Sequence, residues 1–189
     1  MDRIDWSLLL AELDGHPCAD AKEVEDVAFV RAFLLRHPGD AHLRTQAEGH
    51  LTGSGFVLDA ARERVLLLHH RKLDRWLQPG GHGEGETAPR LIALREIEEE
   101  TGLSARDLIA FPDERVLDVD VHFIPARPGE PAHRHLDLRY GFLARVGAEA
   151  RVSHESRELR WFPLAALPGD ADPSLRRAVR KLGVRARTG

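Results

Sequence analysis

Residues 75–103, RWLQPGGHGEGETAPRLIALREIEEETGL, permit few structures. Pro79 and four glycines within residues 79–86 cannot lie inside a helix, so this half is a loop. Pro89 suits a first helical turn, Leu91 to Thr101 has a helical pattern, and Gly102 stands where a glycine commonly ends a helix. A glycine loop is thereby tied, at fixed spacing, to a helix carrying Glu96, Glu98, Glu99 and Glu100. At about 100° per residue, Glu96, Glu99 and Glu100 share one sector and Glu98 points away. Like charges at i,i+3 and i,i+4 repel by a few tenths of a kcal/mol per pair. A bound divalent cation would offset that repulsion, because hard cations prefer clustered carboxylate oxygens. A solvated helix face is the plainer reading of a bare glutamate run. The flanking loop has to separate the two.

The surrounding chain reads as one α/β domain of 189 residues with an appendage. Before residue 37 the apolar positions keep helical spacing: Trp6, Leu9, Leu10 and Leu13, then Val27, Val30, Phe33 and Leu34. From about residue 50 the period changes. HLTGSGFVLD and RVLLLHH read as a hairpin of buried strands; RVLDVDVHFIPA, LDLRYGFLARV and ELRWFPLAAL read as further strands. The glycines of GSG (53–55) do not match a dinucleotide fingerprint, since no helix follows. A basic helix from 173 to about 182 closes the chain, and its arginines read as a solvated face with a frayed end. The order argues an α/β sandwich with a mixed sheet.

Composition excludes several classes. With 42% hydrophobic residues the chain can build a core, and no apolar run approaches a membrane span. The start does not read as a signal peptide, and the lone Cys18 allows neither an internal disulfide nor a thiolate zinc cluster. The expectation is a cytoplasmic protein. A net charge of −4 does not indicate a nucleic-acid polymer as partner.

From Gly81, GHGEGETAPRLIALREIEEETGL resembles the signature of the Nudix hydrolases: G, five residues, E, seven residues, then R-E-apolar-x-E-E-x-G-apolar. Gly81, Arg95, Glu96, Ile97, Glu99, Glu100, Gly102 and Leu103 match in register. The first signature glutamate falls on Thr87, with Glu86 one place earlier. The resemblance runs from about residue 50 to 165. It implies a Nudix-type α/β/α sandwich with a mixed sheet, residues 49–189, preceded by an N-terminal helical extension, residues 1–48. It also implies hydrolysis of a diphosphate linkage in a nucleoside-diphosphate-X substrate, with Mg2+ or Mn2+ as cofactor.

Carried over residue by residue, the resemblance makes Glu96, Glu99 and Glu100 metal ligands and catalytic residues, with the Gly80 carbonyl as an extra ligand. Glu96 stands where some members place a general base; others use a later glutamate, for which Glu155 and Glu158 are the candidates. Arg95 is the ion-pair partner that orients a glutamate of the signature. With Thr87 in the usual partner's place, Glu86 rather than Glu84 is expected to pair with it. Gly81, Glu86 and Gly102 shape the loop and the helix end. A catalytically silent nucleotide or nucleotide-sugar binding module is the alternative, although such modules typically lose these glutamates. The isoprenoid diphosphate isomerase branch resembles a chemistry that needs a core cysteine, and Cys18 lies in the N-terminal region.

Lesser signals lie nearby. His133, His135 and Asp137 share one face of a strand. That spacing suits a polar outer face, a transition metal, or, with Arg134, contact with substrate phosphates. His82, beside the glycines, is the other candidate substrate contact. Trp76 and Trp161 read as core anchors. The apolar faces of the first 48 residues must be buried somewhere. Either they cover an edge of the sheet, or Trp6, Leu10, Phe29 and Phe33 form a dimer interface; a homodimer is expected.

Overall fold

The computed structural model describes residues 3–154 and 156–188. Two helices come first, α1 (Ser7–Asp14) and α2 (Ala21–Arg36). Four strands follow, β1 (Gly49–Leu58), β2 (Arg64–His70), β3 (Arg75–Leu77) and β4 (Gly80–His82). Then come α3 (Pro89–Thr101), a short 3-10 turn, β5 (Leu108–Ala110), β6 (Asp118–Ile124), β7 (His133–Ala144), β8 (Ser156–Pro163) and α4 (Pro173–Thr188). The expected elements are present. The last helix runs further than its sequence pattern suggested.

The strands form one mixed sheet. β1 runs parallel to β7 along its whole length, from Gly49 opposite Arg134 to Leu58 opposite Leu143. On its other edge β1 meets β2 only near their turn, at Leu58 and Val65. Beyond that the two strands part, and the β3–β4 segment fills the space. β3 pairs with β2 through Leu68 and Leu77, and β4 pairs with β1 through Gly53 and Gly81. The glycine loop is therefore built into the sheet. β6 and β5 share the outer edge of β7, and β8 covers the far edge of β2.

Helices cover both sides. α3 lies directly on β1, and the GSG glycines are the reason. A Cβ on Gly53 would come within 2.2 Å of the Pro89 carbonyl oxygen, and one on Gly55 within 2.4 Å of Ile97. On the opposite side, Leu175, Val179 and Leu182 of α4 pack against Phe56, Leu58 and Leu67.

The N-terminal helices bury their apolar faces within the chain. Trp6, Leu13, Val30 and Phe33 join the same cluster as Leu51, Ile97 and Leu138 of the domain. The Trp6 indole N–H donates to the Pro38 carbonyl at 3.1 Å. Asp20 caps α2 by accepting the Glu23 amide. Trp6 and Phe33 are thus buried inside one chain, while Leu10 and Phe29 are partly buried against the same cluster.

The basic tail is corrected too. Arg177 is buried, donates to Asp118 at 2.8 Å and 3.0 Å and to the Val119 carbonyl, while Lys181 reaches Glu23 of α2 at 2.5 Å. Its partners lie far away along the chain, which is why α4 read as a solvated face. Among the described residues no helix is long and apolar enough to cross a membrane.

Candidate active site on helix α3

α3 begins with Pro89 in its first turn and ends at Gly102, whose φ of 72° lies in the left-handed region that glycine adopts without strain. Ile92, Ala93 and Ile97 turn to the sheet. That orientation directs Glu96 and Glu100 at β4, the inserted glycine strand. Glu100 is buried and its Oε2 accepts the Gly80 amide at 2.9 Å. Gly81 lies so close to Glu96 that an added Cβ would stand 2.6 Å from the carboxyl group. Only glycine lets the backbone approach these carboxylates so closely.

Among the described residues, Arg95 is the cation within ion-pair distance of Glu96 and Glu99. It bridges Glu96 at 2.9 Å and Glu99 at 3.1 Å, and its guanidinium also donates to the His82 carbonyl. Burial of Glu96 raises its pKa; Arg95 opposes this and Glu99 adds to it, leaving the group pushed up to about 7. One arginine shared by Glu96 and Glu99 does not balance both charges, and the residual repulsion between them is what a further cation would relieve. Carboxylate oxygens beside an open glycine backbone form a donor set suited to a hard divalent ion.

The NUDIX domain model matches residues 49–182. The chain belongs to the Nudix family. A probable DHNTP pyrophosphohydrolase of Lactococcus lactis subsp. cremoris is 26% identical over 111 residues, 59% of this chain. The alignment spans 65% of that curated relative's length. Among solved structures, a Caenorhabditis elegans Ap4A hydrolase binary complex superposes with TM-score 0.59 at 18% identity, covering 74% of this chain and 98% of that one. A UDP-X diphosphatase superposes with TM-score 0.51 at 19% identity over 96% of this chain and 91% of its own. That coverage reaches into α1 and α2, so the Nudix fold here carries its N-terminal helices as another structure does.

Within this Nudix fold the expected residues do not all converge. Glu86 does not pair with Arg95; its Oε1 accepts the backbone amides of Thr87 and Ala88 at 2.7 Å and 2.8 Å. Glu84 is the loop glutamate nearest the guanidinium, at 3.9 Å. The reversal has a physical source: Glu84 and Gly85 both have positive φ, and the turn sends Glu86 back to the start of α3. The Gly80 amide donates to Glu100.

The later candidates separate. Glu155 lies outside the described residues. Glu158 is on β8 opposite His69, on the side of the sheet away from α3, and pairs with Arg160. Arg134 places its guanidinium over the Phe29 ring at 5.3 Å, on the face opposite His133 and His135. His82 points to that histidine side as well, because it pairs with Thr52 while Gly81 pairs with Gly53 on the α3 side. Trp76 stacks edge-on with Phe162 at 4.7 Å and with His69 at 5.1 Å, as a core anchor does. The sequence reading missed the role of GSG. Two glycines two apart on one strand, opposite a helix, were the available signal.

Proposed function

We propose that this Nudix protein hydrolyses a diphosphate linkage in a nucleoside-diphosphate-X substrate, using Mg2+ or Mn2+ held by Glu96, Glu99 and Glu100. The observation that carries this reading is the carboxylate cluster against the glycine strand: Glu96 at Gly81, Glu100 on the Gly80 amide, and Arg95 as the cation between Glu96 and Glu99. A divalent ion bound there supplies concentrated positive charge to the diphosphate and lowers the pKa of an attacking water.

The chain's own groups do the positioning. Arg95 clamps Glu96 and Glu99 at the helix surface, and its tie to the His82 carbonyl fixes α3 against β4. Glu96 is the candidate base, taking the water proton on a carboxylate oxygen. Glu158, committed to Arg160 on the other side of the sheet, is not placed for that task. Glu86 holds the amides of Thr87 and Ala88 and so sets where α3 starts. The Lactococcus relative's name points to a triphosphate-bearing substrate, which places such compounds in the test set.

The experiment is a turnover screen with Mg2+ and with Mn2+ over dinucleoside polyphosphates, nucleotide sugars, ADP-ribose, oxidised dNTPs and dihydroneopterin triphosphate. Metal-dependent release from one class is expected. Tight binding of a nucleotide with no turnover of any compound would instead make the protein a silent binding module.

A further inference from the structure

A second cluster of metal-binding groups lies on the other side of the sheet, away from the α3 carboxylates. Five histidines meet there from four strands: His50 on β1, His82 on β4, His122 on β6, and His133 and His135 on β7. The strand register makes this possible. β1 and β7 run parallel with His50 opposite His135, and His122 on β6 is opposite the same residue. The His50 ring centre is 5.0 Å from each of His82, His133 and His135.

The unusual member is His50. It is 1% exposed, and neither of its ring nitrogens has a hydrogen-bond partner. A buried imidazole with two orphaned nitrogens costs free energy unless something fills the gap. Its neighbours are arranged as ligands would be. The His133 Nδ1 donates to the Pro131 carbonyl at 2.8 Å, which leaves the lone pair on Nε2, and that atom too is buried without a hydrogen-bond partner, the Glu130 carboxylate standing 4.0 Å away. A ring N–H held by a carbonyl is the usual outer support of a metal-bound histidine. His122 has the corresponding support from the Asp120 carboxylate at 3.0 Å. One nitrogen from each of His50, His133 and His135 can be chosen so that all three lie within 4.8 Å of one another. The Nε2 atoms of His82 and His135 are 3.2 Å apart. Two ligands of one tetrahedral ion sit about 3.3 Å apart when each is about 2.0 Å from it.

We propose that His50, His133 and His135, with His82 as fourth ligand, bind a transition-metal ion, Zn2+ being the first candidate. Imidazole nitrogens select such ions over Mg2+, which prefers oxygen. A different cluster shows what a site already filled looks like. His16, Cys18 and Glu23 also lie close together, but the Lys181 ammonium stands among them, 2.5 Å from Glu23 and 3.1 Å from His16. A cation is already present there. At the histidine cluster the nearby Arg44 guanidinium is paired with Glu130 at 3.0 Å.

The histidine site does not depend on the hydrolase reading, since β4 turns Gly81 to one face and His82 to the other. The test uses the untagged full chain in excess Mg2+, so that the α3 carboxylates do not compete. Zn2+ is titrated against a chromophoric chelator, and Co2+ is added separately to follow its visible absorption. One Zn2+ per chain is expected, with affinity reduced at least about a hundredfold by His133→Gln and by His50→Gln and unchanged by Glu100→Gln. Wild type should also give the intense visible band of imidazole-ligated tetrahedral Co2+. Circular dichroism of each variant separates a lost site from a lost fold, and His82→Gln replaces His50→Gln if that buried change prevents folding. Absence of saturable Zn2+ binding and of the Co2+ band in wild type overturns the proposal. So does Zn2+ affinity that falls with Glu100→Gln and not with His133→Gln.

Discussion

The molecule holds two groups of clustered acids, and they are built on opposite terms. Between α2, α4 and the β6–β7 edge, Glu23, Asp118, Asp120 and Asp137 meet Arg139, Arg177 and Lys181. Arg139 alone bridges Asp118, Asp120 and Asp137 at 3.3 Å, 3.2 Å and 2.8 Å. Every acid there has a base. On α3, Glu96 and Glu99, with Glu84 beside them, share one arginine. The matched group is deeply buried and joins the N-terminal and C-terminal helices to the sheet. The unmatched group opens on a glycine strand. Charge matched at a structural junction and left in excess around Glu96 and Glu99 is the arrangement that the proposed cation would complete.

The pKa shifts follow the same division. At Glu23 burial pushes upward, but the bonds from His16 and Lys181 outweigh it and hold the carboxyl well below its ordinary value of 4.5. At Glu96 burial also pushes upward, and Arg95 alone cannot reverse it.

Substitution at one site of each kind should separate the two groups most clearly. Glu100→Gln keeps the side-chain shape and leaves an acceptor for the Gly80 amide, so the fold should survive while turnover falls about a thousandfold, ~4 kcal/mol on the barrier. Near wild-type turnover of the best screened substrate would remove the carboxylate cluster from catalysis. Arg177→Ala should act the other way. It strands Asp118 without its closest base and should reduce stability by about 3–5 kcal/mol in urea unfolding. A loss under about 1 kcal/mol would mean the junction is not held by these pairs.

Acid sharpens the comparison further. Glu23 has a depressed folded pKa, so its stabilisation is present above the unfolded value of 4.5 and is lost as pH falls towards the folded one. Asp118, raised mainly by burial, works in the opposite sense. Unfolding midpoints measured from pH 5 down to pH 3 should fall, and Glu23→Gln should make that fall shallower. An unchanged slope in the variant would contradict the Glu23 assignment.

The smallest effects concern the loop. Glu86→Ala should cost about 1 kcal/mol of stability, because two amides at the start of α3 lose their acceptor. Glu84→Gln, exposed and 3.9 Å from Arg95, should change stability by less than about 0.5 kcal/mol. Reversed magnitudes would restore Glu86 as the arginine's partner.

How much of this was legible depends on how local the information was. α3 could be read whole, because Pro89, Gly102 and the glutamate spacing are contained in one short segment. The alternation of His133, His135 and Asp137 was equally readable, since it needs only the period of a strand. Their meeting with His50 and His82 was not, because it depends on a parallel β1–β7 pairing and on β4 inserting between β1 and β2. The partners of Arg177 and Lys181 were hidden for the same reason: Asp118 and Glu23 belong to other elements. Glu86 misled because loop direction is set by backbone angles at Glu84 and Gly85, which no periodicity encodes.

We propose above that the clustered carboxylates on α3 hold a divalent cation. Titrating Mn2+ into the untagged chain and into Glu100→Gln, with free Mn2+ followed by electron paramagnetic resonance, tests it directly. Saturable binding in wild type, weakened at least about tenfold in the variant, is the expected result. Equal Mn2+ affinity in the two proteins would contradict the account.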